Sequence, residues 1–245
     1  MRVDSLAVAL RPRPMPEAAD LGVLLVQTHA RSVWRVYTPV WAAVVLVALS
    51  TVEIAPWLPA LVIFWFKPWL DRSLLFVMSR AVFGQATQFA DLWRNRSAVW
   101  WGQWAITVTW QRLSPWRAFT QAIWQLEGQG GKARRQRCAQ LLHLKRGAAL
   151  SMQWAFANVE LALYAGVLAV VFWLSPQGSS QGLWEWLNDA QHGRVLALLL
   201  AIAQSAIVLL VEPFFVAAGF AMYLNRRVEL EAWDIEQEFR RVFAH

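Results

Sequence analysis

Residues 196–225, LALLLAIAQSAIVLLVEPFFVAAGFAMYLN, contain no lysine or arginine and only one charged side chain, Glu212, directly before Pro213. An apolar run of that length is a transmembrane helix. A carboxylate inside it costs roughly 2.5–3.5 kcal/mol at mid-membrane on insertion scales, so Glu212 requires a partner or a proton. At Arg226 and Arg227 the run gives way to a charged tail, 225–245. There Val228, Ala232, Ile235, Phe239 and Val242 recur at intervals of four and three, an amphipathic stripe that has to be covered by something. These five are the candidate partner-docking residues.

The rest of the composition agrees with a membrane protein. Hydrophobic residues make up 58% of the chain and charged residues 16%, outside the usual range for a soluble domain. The 17 tryptophans suit side chains that sit at the membrane–water interface. Arginine greatly outnumbers lysine, which hints at a GC-rich bacterial source. The net charge of +7 raises nucleic acid as a partner, but the placement of the charges points to topology instead. Cys138 is the one cysteine, so an internal disulfide is excluded. The apolar patch within residues 1–10 is too short for a signal-peptide core, and the first span is expected to serve as the signal.

Taken in order, residues 1–33 form a cytoplasmic segment with an interfacial helix over 17–32, Pro16 suiting its first turn. Leu21, Leu24, Leu25 and Thr28 share one side of it. Residues 34–66 hold the first two spans. The second of these is either short or a broken helix continuing past Pro68. Residues 67–147 read as a cytoplasmic or interfacial helical insertion. Within it 98–110 is too short to cross and fits a surface or re-entrant helix. Trp116, Phe119, Ile123 and Leu126 fall near one face of the next segment, and a basic stretch at 132–146 carries a small leucine cluster, Leu141, Leu142 and Leu144. Residues 148–224 supply the third and fourth spans around a periplasmic loop, 175–193. With both ends inside, segments 1–35, 67–146 and 225–245 hold 5, 13 and 4 of the 23 Lys and Arg. That bias orients the chain with N- and C-termini cytoplasmic in a bacterial inner membrane. The expected fold is all-α: a polytopic membrane protein of about four transmembrane helices plus interfacial amphipathic helices.

Glu160 and Glu212 each lie 12 residues from the inner end of their spans, Ala148 and Leu224. At 1.5 Å per residue both sit roughly 18 Å above those ends, at similar depth. Gln153, Glu160 and Tyr164 form one helical stripe, and Ser205, Glu212 and Gly219 another at spacings of seven. The functional reading is a proton- or cation-handling pair. The structural reading is polar glue between spans. Lys132, Arg134, Arg135 and Arg137 follow a glycine-rich turn that lacks the phosphate-loop pattern, and they are candidates for an anionic lipid head group or plain anchoring. Asp71 and Arg72 read as a helix-end salt bridge. Histidines without metal-ligand spacing, and no positioned nucleophile, give no catalytic residue, no metal and no cofactor.

Three stretches, KPWLDR (67–72), LSPWRAFTQAIWQLEGQGGKARR (113–135) and EPFFVAAGFAMYLNRRVELEAWDIE (212–236), resemble an uncharacterised family of proteobacterial integral inner-membrane proteins over most of the chain. Its members are often encoded beside MoxR-type AAA ATPases, so the resemblance implies an assembly or envelope-maintenance role. A looser similarity links the helix before the first span to the membrane domain attached to some glycerophosphodiester phosphodiesterases. The resulting expectation is a non-enzymatic subunit of an envelope-associated complex, with the lipid bilayer, other membrane proteins and a cytoplasmic AAA ATPase as partners and no nucleic acid. The alternative is a lipid- or solute-handling transporter that uses its intramembrane carboxylates.

Overall fold

The computed structural model describes residues 12–102, 104, 107, 109, 112–173 and 190–231. Its helices are α1 (Met15–Thr28), α2 (Ala30–Ser50), α3 (Leu58–Ala81), α4 (Phe89–Arg94), α5 (Arg117–Gln125), α6 (Gly131–Leu142), α7 (Arg146–Trp173) and α8 (Ala190–Glu231). The described residues contain no strand. Among the described residues, three helical stretches are long and apolar enough to cross a membrane: Ala30–Glu53, Arg146–Trp173 and Gly193–Leu230. This is an all-α membrane protein.

The fourth expected span takes a different form. α3 is one continuous helix of 24 residues that runs straight through Pro68, so the boundary expected at 66/67 falls inside it. Its length, about 36 Å, would suffice to cross. Lys67, Asp71 and Arg72 interrupt its apolar character, however, and its second half is wrapped by protein, while Leu61, Phe64 and Phe66 in its first half are exposed. From Leu70 to Leu75 every residue is buried, which only a helix enclosed on all sides can achieve.

α8 is the spine, and α1, α3, α5 and α7 all pack on it while α2 lies against α3. The contact with α1 is set by small residues. A Cβ built on Gly22 would meet the Ala218 Cα at 2.6 Å, so the two backbones touch there. The buried face of α1 is therefore Met15, Ala18, Gly22, Leu25 and Val26. The expected apolar side is corrected accordingly: Leu21 is half-buried, and Leu24 and Thr28 are exposed. Side-chain size, rather than hydrophobicity, chose the face. Gly219 repeats the device one helix away, where a Cβ would lie 2.6 Å from the Ala118 carbonyl carbon of α5.

α5 is not a surface helix. Seven consecutive residues, Arg117–Ile123, are buried between α3 and α8, while Leu126 is exposed. The leucine cluster also divides. Leu141 and Leu142 are buried, whereas Leu144 adopts a positive φ of 59° and points outward, 88% exposed. α8 does not stop at Asn225 but continues to Glu231, with Asn225 and Val228 buried. It also begins at Ala190, inside the expected loop 175–193. The rest of that loop, residues 175–189, lies outside the described residues.

Candidate functional site: an ion-pair network between helices

Lys67 and Asp71 lie one turn apart on α3 and face the same way. The Lys67 Nζ is 2.5 Å from Glu160 Oε1 on α7 and 2.7 Å from Glu212 Oε2 on α8. Arg117, in the first turn of α5, donates through Nη2 to Glu212 Oε1 and places its Nε 3.4 Å from Asp71 Oδ2. Five charges from four helices thus form one chain of contacts. Asp71 and Glu212 are fully buried, Lys67 and Arg117 nearly so, and Glu160 alone reaches the periphery, with 29% of its side chain exposed.

The surroundings hold the cations in place. The Arg117 guanidinium lies 4.8 Å from the centre of the Phe215 ring. Arg112, before α5, sits 3.5 Å over Phe64. Such stacking favours a weakly hydrated guanidinium over an ammonium. Burying each charge costs several kcal/mol, and good mutual geometry is what offsets it. Glu160 lies 14 residues after the start of α7 at Arg146, and Glu212 lies 19 residues before the end of α8 at Glu231. What joins them is the Lys67 ammonium.

The other predicted polar positions fall outside this network. Ser205 is buried; its hydroxyl donates to the Ile202 carbonyl of its own helix, and its carbonyl accepts from Trp41 Nε1 at 2.8 Å. It ties α8 to α2. Gln153 and Tyr164 are half-buried on α7, and the Gln153 Oε1 is buried without a hydrogen-bond partner. Asp71 and Arg72 do not form a helix-end pair. Arg72 turns the other way, donating to the carbonyls of Trp100 (3.2 Å) and Gly102 and lying 4.1 Å over the Trp124 ring.

A second network gathers at the far end of α8. Glu127 accepts from Arg137 Nε (3.0 Å) and from the Tyr223 hydroxyl (2.6 Å), with Arg227 Nε 3.8 Å away. Glu229 takes Lys145 at 3.1 Å and Arg226 at 2.6 Å. Arg226 also donates to the Leu141 and His143 carbonyls at the end of α6. Asn225 grips the Arg13 backbone twice, accepting its N–H and donating to its carbonyl, both at 2.9 Å. Of the four lipid candidates, Arg137 is therefore engaged by Glu127. Lys132 and Arg135 are exposed, and Arg134 is half-buried. Of the docking candidates, Val228 is buried within α8, and Ala232, Ile235, Phe239 and Val242 lie outside the described residues.

Sequence reasoning missed Lys67, Asp71, Arg117, Glu127 and Tyr223. Only the first two carried a signal, an i, i+4 pair of opposite charge inside an otherwise apolar helix. Among the described residues no three His, Cys, Asp or Glu side chains gather as metal ligands. No protein-family model, curated protein or solved structure matches the chain.

Proposed function

We propose that this chain is a non-enzymatic integral subunit of an envelope-associated complex in the bacterial inner membrane, with both ends cytoplasmic. The observation that carries the reading is the lock between Glu127, Arg137 and Tyr223, which fastens α6 to the end of α8. A basic helix is held there in one orientation with Lys132 and Arg135 facing outward. A rigid, exposed, cationic face beside the start of the tail suits docking of an acidic partner surface. Another membrane protein or a cytoplasmic AAA ATPase would fit that role.

Native mass spectrometry of the full chain, gently extracted from its own membranes, tests this. A stoichiometric protein partner is expected, and it should be lost when Lys132→Glu and Arg135→Glu are combined. Deletion of 232–245 is the second probe, begun beyond Glu231 because Val228 belongs to the core. A partner that survives both changes would refute the docking face.

A second reading, lipid or solute handling, has one observation in its favour: Glu160 joins the buried network while remaining partly exposed at its rim. Under that reading Glu160→Gln, at the partly exposed rim, abolishes transport into vesicles and leaves the fold intact.

A further inference from the structure

One side chain of α7 turns a polar group to the lipid. Ala149, Met152, Phe156 and Glu160 face the rest of the molecule: the first two are buried, Phe156 meets the Phe215 ring of α8 at 5.6 Å, and Glu160 reaches Lys67. At about 100° per residue, Asn158 lies about 160° from both Phe156 and Glu160, so it points away from α8, and it is exposed. It stands roughly 18 Å along the helix from Arg146, well inside the hydrocarbon layer. Trp154 and Leu161, also exposed, flank it.

The Asn158 amide donates once, to the Trp154 carbonyl of its own helix at 2.7 Å. Its second amide hydrogen and its Oδ1 have no partner among the described residues. Lipid tails supply neither donors nor acceptors, and an unsatisfied polar group is costly among them. A protein group therefore has to come to Asn158.

Its neighbours leave room for one. Ser151, Ala155, Ala162, Ala165 and Ala169 share its face at intervals of four and three, and all are exposed. The Ser151 hydroxyl is already bonded to the Ala148 carbonyl at 2.9 Å and asks for nothing more. Side chains this small admit a second helix backbone at close range, and their spacing is that of two parallel helices in a left-handed pair. A carboxamide is donor and acceptor at once, so an identical group at the same depth completes it. A two-fold axis along the membrane normal brings two such groups together at equal depth.

We propose that α7 is a self-association helix: two copies of this chain pair in parallel through the face that carries Asn158, each Asn158 hydrogen-bonded to that of the second copy. The inference does not rest on the docking reading above, which concerns the exposed cations of α6.

The purified full chain in phosphatidylethanolamine–phosphatidylglycerol vesicles tests it. In a Cys138→Ser background, oxidation with copper phenanthroline should link Ala155→Cys, Ala162→Cys and Ala165→Cys into dimers and leave Leu161→Cys and Leu168→Cys largely monomeric. Resonance energy transfer between labelled copies, followed against protein-to-lipid ratio, should show Asn158→Leu weakening the pair about tenfold and Asn158→Gln, which keeps the amide, retaining it. Asn158 is exposed, so neither variant should lower the melting temperature of the single chain. Lys132→Glu combined with Arg135→Glu should leave the dimer unchanged, which separates a failure here from a failure of the docking face. Energy transfer no higher than for randomly placed monomers, a dimer indifferent to Asn158→Leu, or equal cross-linking at all five positions overturns the proposal. So does cross-linking in native membranes to a different protein in place of a second copy.

Discussion

Arg117, in the first turn of α5, reaches Glu212, in the middle of α8, across 95 residues of sequence, and both side chains are shut away from solvent. The contact fixes a short helix whose apolar residues Ala118, Phe119, Ala122 and Ile123 are all buried. Arg117 is its polar root, and Ala118 sits directly against Gly219.

Arg117→Met should therefore destabilise the protein by about 3–5 kcal/mol, the usual effect of leaving one buried charge without its partner. Thermal unfolding in detergent is the measurement. Adding Glu212→Gln to Arg117→Met should recover part of the loss, because the uncompensated charge is then gone. A single variant as stable as the parent would dissolve the argument.

The glycine contacts make a sharper comparison. Gly22→Ala and Gly219→Ala each drive a Cβ into backbone atoms, of Ala218 and Ala118 respectively, that cannot swing aside. A cost of about 1–3 kcal/mol is expected for each. Gly166→Ala on α7 meets nothing within 4 Å, and it should gain up to about 1 kcal/mol through helix propensity. Equal melting temperatures for all three would contradict the close approach of α1 and α5 to α8.

Tyr223→Phe removes one hydroxyl and leaves Glu127 with its arginines. The loss should be about 1.5–3 kcal/mol, the range for a hydrogen bond to a charged group. It should be felt locally. Hydrogen exchange in α6 is expected to quicken while α3 and α5 keep their protection, and uniform protection would show that the lock is not holding α6.

Cys138 lies on α6, outside the spans. Burial pushes its thiol above the ordinary range, Arg134 draws it down and Glu127 pushes it up further. A raised folded-state value stabilises the protein below the unfolded thiol value of about 8.5, and that contribution is lost as pH rises through the folded value. Maleimide labelling at neutral pH should thus be slower than in the denatured chain and climb steeply with alkaline pH. Arg134→Ala should slow it again. A rate that matches the denatured chain at every pH would count against the buried setting.

The helical class and three of the spans were legible in the apolar runs, and Glu160 and Glu212 stood out as the carboxylates within two of them. The cations were not legible in the same way. Counting positive charges for orientation treats every Lys and Arg as solvated, and it placed Lys67 and Arg117 in a surface insertion with the rest. Hydropathy cannot tell a charge that faces water from one that faces a carboxylate 93 residues away. Three short stretches, 67–72, 113–135 and 212–236, supply most of both polar networks: Lys67, Asp71, Arg117, Glu127, Glu212, Tyr223 and Glu229 all lie in them. Likewise the buried face of α1 was misjudged because a periodicity of leucines says nothing about where two backbones will touch.

The continuity of α3 through Lys67 has a consequence for biogenesis. During synthesis this helix leaves the ribosome with a lysine, an aspartate and two arginines, before either glutamate that pairs with the lysine is made. Glu160 follows 93 residues later, and Glu212 only in the last span. The interior therefore cannot close around Lys67 until α8 has been made. Any product truncated before α8 would leave Arg117 and Lys67 without Glu212.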